Sequence, residues 1–399
     1  MRVSEAETIA RLAARGDGVG ESGLFYPLTA PGDRVAADGS IEPGPHRRVP
    51  PCRHFPECGG CQLQHVDDEA YGAFLRDRIA SALAAQDVPV PDILPPHISP
   101  PRSRRRAALK AEKRFGRTSI GFHAEKTHTI VDMRECHILR PELFALVAPL
   151  RRLLDGLMAV KDAVGVQMTL ADQGVDVTIA GFQRHGLAAE ERLAEFSLEN
   201  RLARLAVDSG FGPETRWEPE PVTVALGGVA VPLPHGAFLQ ATADGEAALV
   251  AAVREAIGEA RIVADLFAGL GTFALSLDGR ILAVEGGRDS ALALKTAAAR
   301  AQRPLFVDHR DLYRRPLDIA ELSRFEAAIL DPPRAGAREQ AAQLAGSAVP
   351  RLAYVSCNPS TFARDARTLI GGGCRLLWIR PVGQFRWSTH VELVGAFAR

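Results

Sequence analysis

The chain has 399 residues, with 48 Lys and Arg against 48 Asp and Glu and a formal net charge of zero. A single core rarely grows past about 250 to 300 residues, so two or three domains are expected, and the neutral balance excludes the uniformly basic surface of a non-specific nucleic-acid binder. No apolar run reaches the roughly 18 to 20 residues of a membrane span, and the N-terminus Met1-Arg-Val-Ser-Glu-Ala-Glu lacks the apolar stretch of a secretory signal, so a cytoplasmic, globular, monomeric protein is expected.

Residues 6 to 36 read as short apolar runs separated by Gly16-Asp17-Gly18, Gly20, Gly23 and Pro31-Gly32-Asp33, the pattern of a small β-barrel or hairpin fragment. A polar, Pro-rich stretch from Asp38 to Pro51 reads as a linker. From Asp67 to Gln86, Tyr71, Phe74, Leu75, Ile79 and Leu83 recur at helical spacing, an apolar stripe best explained by packing. Between about Ser99 and Gly181 strands predominate, including Ser119 to His123, Thr129 to Met133 and Val175 to Ile179, with one helix near Glu142 to Met158. Arg102 to Arg117 holds eight Lys or Arg and one acid, a stretch able to meet phosphates.

Six cysteines in a cytosolic chain are better suited to metal binding or catalysis than to disulfides. Cys52, Cys58, Cys61 and the more distant Cys136 could hold zinc or a [4Fe–4S] cluster. Zinc knuckles usually come in pairs of Cys-x2-4-Cys; a single Cys-x2-Cys with a remote fourth ligand suits the cluster better.

After about Gly236 the rhythm becomes apolar strand, polar end and Ala-rich helix, repeated. Ile262, Arg280, Leu305, Ala327 and Leu352 each begin such a strand, which implies a parallel doubly wound sheet with ligands beyond the strands' C-terminal ends. Asp265-Leu-Phe-Ala-Gly269-Leu-Gly271 is a strand running into a glycine turn that should open a helix. It lacks the third glycine of dinucleotide sites, and Glu285 ends the next strand where it can take a ribose diol. The segment resembles the first two motifs of the Rossmann-like SAM-dependent methyltransferases, which implies S-adenosylmethionine (SAM) as cofactor, with Asp265, Phe267, Gly269, Gly271 and Glu285 around it and Asp311 where that superfamily places an acid near the adenine amino group. Asp331-Pro-Pro-Arg-Ala-Gly336 closes the fourth strand. An amino-methyltransferase would place an aromatic after the two prolines, and Arg334 stands there instead.

Cys357, in Tyr354-Val-Ser-Cys-Asn-Pro-Ser, ends the fifth strand at the start of a helix, where the dipole should favour its thiolate. Uracil C5 becomes nucleophilic only after something adds to C6, and a thiolate can do that. Glu392, in Thr389-His-Val-Glu, is the candidate base, its carboxyl raised by burial; His390 reads as supporting structure and Cys374 as inert.

Assembled, these pieces resemble the bacterial uracil-C5 RNA methyltransferases, in their iron–sulfur-containing 23S ribosomal RNA branch. The resemblance rests on Cys52-x5-Cys58-Gly-Gly-Cys61-x-Leu-Gln64-His, Phe238-Leu-Gln240, Asp265 to Gly271, Asp331 to Gly336, Ser356-Cys357-Asn358-Pro359 with Ala363-Arg364-Asp365, and His390-Val-Glu392. It implies Cys357 as nucleophile, Glu392 as base, Gln240, Glu285 and Asp331 in the SAM pocket, a [4Fe–4S] cluster on the four cysteines, and structured RNA as partner. The implied architecture is α/β: residues 1–45 a short β-rich segment like a TRAM domain, 46–235 an α+β middle domain with the iron–sulfur site, and 236–399 a Rossmann-like SAM-dependent methyltransferase domain. The chain departs from the family at Thr242, where Asn is usual, and at Phe385-Arg-Trp-Ser, where Phe-Pro is usual. A transfer-RNA enzyme of the same family is the alternative. An RNA-binding iron–sulfur sensor is disfavoured because both nucleophile and base are present.

Overall fold

A computed structural model describes residues 6–125, 127–183 and 186–399. The N-terminal turns punctuate five short antiparallel strands, in the order Phe25–Tyr26, Gly18–Gly20, Glu7–Leu12, Arg34–Val35 and Ile41–Glu42. The last lies inside the stretch expected to be a linker. The stretch folds back because Arg47 clamps the fully buried Asp33 at 2.6 Å and donates to the Leu28 carbonyl, while Gly44 N–H donates to Asp33. A buried carboxylate needs such partners.

Six strands form the middle sheet, in the order Pro213–Trp217, Arg204–Asp208, Gly174–Ala180, Ala163–Ala171, Arg106–Arg114 and Arg117–Gly121. Residues 129–133, expected as a strand, make only a bridge from Ile130 to His123 and otherwise run as loop. The helix expected from Glu142 to Met158 is two pieces, Pro141–Ala145 and Val147–Leu157, joined at Leu146. Leu150, Leu154 and Leu157 of the second pack against Leu109, Ile120 and Val166 of the sheet.

The largest sheet has nine strands, with Leu305–His309, Arg280–Glu285, Ile262–Leu266, Ala327–Leu330 and Arg351–Ser356 parallel in that order. Glu392–Ala398 then inserts antiparallel between Arg351–Ser356 and Arg375–Gly383. The short strands Asp92–Ile93 and His97–Ile98 pair with the far side of Arg375–Gly383. Helix Asp68–Ala84, capped by Asp67, buries Tyr71, Phe74, Leu75, Ile79 and Leu83 in the same core as Phe362, Ile379 and Leu393. Its stripe is a packing face, and Tyr71 Oη also donates to the carbonyls of Phe385 and Ser388. None of the described helices is long and apolar enough to cross a membrane.

Candidate active site

The parallel strands end at a cavity of about 600 Å³, within the range of small-molecule sites. Its walls include Gln240, Phe267, Gly269, Glu285, Asp331, Arg334, Cys357, His390 and Glu392, from segments spread over some 150 positions of the chain.

Strand register explains the central pair. Ser356 stands opposite Leu393 across the antiparallel ladder, so the next residue on one strand, Cys357, lies beside the preceding residue on the other, Glu392. Burial pushes the Glu392 carboxyl up to about 8, with Asp331 adding to the effect and a hydrogen bond from Gln384 opposing it. Burial likewise brings Asp331 to about 7. The expectation of a thiolate favoured by a helix dipole is not met. Burial, then the charges of Glu392 and Asp331, push the Cys357 thiol to about 11, and Arg334 only partly offsets them. Desolvation and two nearby acids outweigh the dipole.

The glycine turn departs from the expected form, since residues 267–276 make turns and no regular helix follows. Phe267 is left-handed at φ 66°, as are Gly269 and Gly271. A Cβ on Gly271 would come within 2.3 Å of Leu294, so this glycine serves packing against helix Arg288–Arg300. Glu285 ties the turn together: Gly269 N–H donates to one of its oxygens at 2.7 Å and Gly287 N–H to the other at 2.6 Å.

Three expected cofactor residues do not line the cavity. Gly271 is one. Asp265 is fully buried beneath it, accepting from Ala274 N–H while its other oxygen is without a partner, and burial lifts its carboxyl to about 7. Asp311 accepts from Tyr313 N–H and pairs with Arg314 outside the cavity.

Within the basic stretch, Arg102, Lys110, Arg114 and Arg117 are exposed, whereas Arg104, Arg105 and Arg106 are engaged inside the protein. Arg105 forms an ion pair with Glu246 at 2.6 Å and donates to the Gln240 carbonyl; Arg106 donates to the Leu239 carbonyl. Arg104 stacks on Phe122 and Phe385, its guanidinium carbon 5.9 and 5.2 Å from the ring centres. These three arginines join the middle sheet to the segment carrying Gln240. Thr242, the departure from the usual Asn, is fully buried; it caps helix Ala243–Ile257 and bonds Ser99 Oγ at 2.9 Å. The sequence reading also passed over Gln384, which is buried between Gln240 and Glu392. Its only signal was its place directly before Phe385-Arg-Trp-Ser, the segment that departs from the family pattern.

Cys52, Cys58, Cys61 and Cys136 line one pocket with Phe55, Phe122, Val131, Met133 and Ile138 among its other walls. Burial raises all four thiols, that of Cys61 to about 12. Among the described residues no group of three or more His, Cys, Asp or Glu is disposed to hold a metal ion. Cys374 is buried in the core, as an inert cysteine should be.

The parallel sheet with its antiparallel strand and the cavity beyond the strand ends define an α/β fold of the SAM-dependent methyltransferase class. The crystal structure of the Pyrococcus abyssi tRNA (uracil-54, C5)-methyltransferase, in complex with S-adenosyl-L-homocysteine, has the same fold. It matches with a TM-score of 0.78 at 21% identity, over 98% of this chain and 99% of that one. A sequence profile described as tRNA (Uracil-5-)-methyltransferase matches residues 305–397. The chain is 52% identical to an uncharacterized RNA methyltransferase of Zymomonas mobilis, over 98% of this chain and 99% of the relative. It is 30% identical to the 23S rRNA (uracil(1939)-C(5))-methyltransferase of Chromohalobacter salexigens, over 96% of this chain and 87% of the relative. The chain belongs to the RNA uracil-5-methyltransferase family.

Proposed function

We propose that this protein methylates C5 of a uracil in 23S ribosomal RNA, with Cys357 as nucleophile and Glu392 as base. The observation that carries this reading is the meeting of Cys357, Glu392 and Asp331 in one cavity at the ends of the parallel strands. Bound SAM supplies an electrophilic methyl group. Gln240, Phe267, Gly269, Glu285 and Asp331 are the residues at hand to hold it, and the left-handed turn at Phe267 brings backbone close to a ligand.

The Cys357 thiolate adds to C6, opening the C5=C6 bond and placing the electron pair on C5 and O4 as an enolate. C5 takes the methyl group as the donor's S–CH3 bond breaks, its sulfur leaving as the thioether of S-adenosylhomocysteine. Glu392 removes the C5 proton, the electron pair re-forms C5=C6, and the thiolate leaves. Burial raises the Cys357 thiol; Arg334 and the positive charge of a bound donor would favour the thiolate, its proton passing to solvent before the attack. A uracil in a duplex must first swing out to present its faces, at a cost of a few kcal/mol.

Cys52, Cys58, Cys61 and Cys136 share one largely apolar pocket, and although they are not gathered as a metal group in this structure, together they would supply the four thiolates that a [4Fe–4S] cluster takes. Methyl transfer moves no net electrons, so such a cluster would serve structure. The backbone N–H groups of Gln62 and Leu63, directly after Cys61, donate to the Trp387 carbonyl close to His390, which links the cysteine loop to the active site.

The test uses labelled 23S ribosomal RNA, transfer RNA and SAM on a denaturing gel. Glu392→Gln should accumulate a covalent protein–RNA species with the ribosomal RNA, and Cys357→Ala should form none. An adduct formed by Cys357→Ala would remove Cys357 as nucleophile, and an adduct confined to transfer RNA would move the substrate there.

A further inference from the structure

The strands Arg106–Arg114 and Arg117–Gly121 are joined by Phe115 and Gly116 alone. Both joining residues are left-handed, Phe115 at φ 48° and Gly116 at φ 75°, which is the type I′ form that Asn-Gly and Gly-Gly adopt readily. A phenylalanine is held there at a steric cost, and its ring gains nothing inside the protein, being 97% exposed. On either side, Arg114 and Arg117 stand directly opposite each other, a like-charge pair that weakens a hairpin. Arg114 reaches the Glu112 carboxylate at 2.6 Å, a surface pair of little strength, and Arg117 has no ion pair among the described residues. The turn thus departs from stable hairpin chemistry at three adjoining positions. Departures of this kind are kept where they serve function.

We propose that this hairpin tip is a second RNA contact, in which the Phe115 ring stacks on an unpaired base of the substrate RNA while Arg114 and Arg117 take the flanking phosphates. A flat ring between two cations matches a base between two phosphates, which favours RNA over a protein or lipid surface. The tip is also continuous with the active site. Arg106, Lys110 and Arg114 share one face of their strand, opposite the face on which Ala107, Leu109 and Ala111 enter the middle core. Arg106 stacks on Phe238 in the cavity wall, its guanidinium carbon 5.2 Å from the ring centre. Eight residues at about 3.4 Å each set the tip about 27 Å along the strand from that wall, so RNA that places its uracil in the cavity meets the tip with a neighbouring segment.

The inference rests on the proposed action on ribosomal RNA. The experiment measures the affinity of the full chain for 23S ribosomal RNA at several salt concentrations in wild type, Phe115→Asn and Arg117→Gln, with melting temperature and SAM affinity alongside. Asparagine suits this turn, so Phe115→Asn should melt no lower than the wild type yet bind the RNA about tenfold more weakly, with an unchanged salt slope. Arg117→Gln should weaken binding and lower the salt slope by about one. SAM affinity should stay as in the wild type in both. RNA affinity that merely tracks melting temperature would show a folding role and overturn the proposal. Wild-type RNA affinity in both variants overturns it too, whether or not the tip captures a protein, and leaves the methylation reading in place. Failure of the wild-type chain to bind or methylate 23S ribosomal RNA overturns the substrate reading as well.

Discussion

At the scale of single residues, the groups that matter most carry protonation states that only burial can produce. Glu392 keeps its proton up to about 8 in the folded protein against an ordinary value of 4.5. Between those values the folded state binds more protons than the unfolded one, so this residue's contribution to stability is fully present below about 4.5 and is lost as pH rises toward 8. Glu392→Gln removes that loss. Thermal unfolding should show the variant melting on the order of 5 °C above the wild type at pH 8 and level with it at acidic pH; equal differences at both values would show that the carboxyl is not strained by burial. Cys357 and Glu392 were legible as candidates from chemistry and motif, because few residue types can add to C6 or take a proton there. The state of the Cys357 thiol was not legible. It depends on Glu392 and Asp331, which are distant in sequence and become neighbours only through strand pairing.

At the scale of elements, Arg104, Arg105 and Arg106, which lead into the strand Arg106–Arg114, show how a charge run misleads when read alone. The Arg105 and Glu246 side chains are 13% and 14% exposed, and their pairing bolts the middle sheet to helix Ala243–Ile257. Removing one partner leaves a charge buried without compensation. Arg105→Ala should therefore cost on the order of 3 kcal/mol in urea unfolding, and Glu246→Gln added to it should recover part of that. The salt dependence of RNA binding should stay as in the wild type. A flattened salt slope with unchanged stability would return these arginines to the phosphates. The regular strands Ile262–Leu266, Arg280–Glu285 and Arg351–Ser356 were readable because apolar runs ending in polar residues reflect burial on both faces. The strand Ile41–Glu42 was missed because a two-residue strand has no periodicity; it exists through the Asp33–Arg47 clamp beside it.

At the scale of the whole molecule, the N-terminal half and the catalytic sheet are tied at several points that bear on the site. Helix Asp68–Ala84 packs in the core of the nine-stranded sheet, and the cysteine loop holds the Trp387 carbonyl. If the four cysteines take a cluster, anaerobically purified protein should be brown, with iron and sulfide in about a four-to-four ratio. Chelation of the iron should lower the melting temperature and leave SAM affinity nearly unchanged. Colourless protein with stoichiometric zinc would replace the cluster with a zinc site.

The sequence by itself determined the family, the alternation of parallel strands with helices and the candidate residues for the reaction, because those depend on residue type and local hydrophobic pattern. Tertiary structure alone decided that Asp265 lies beneath the cavity while Glu285 faces it, that Arg104 to Arg106 make contacts inside the protein, and that Gln384 bonds Gln240. Each of these is a contact between segments far apart in the chain, where the partner, the degree of burial and the local charge are set by packing and leave no periodic trace in the sequence.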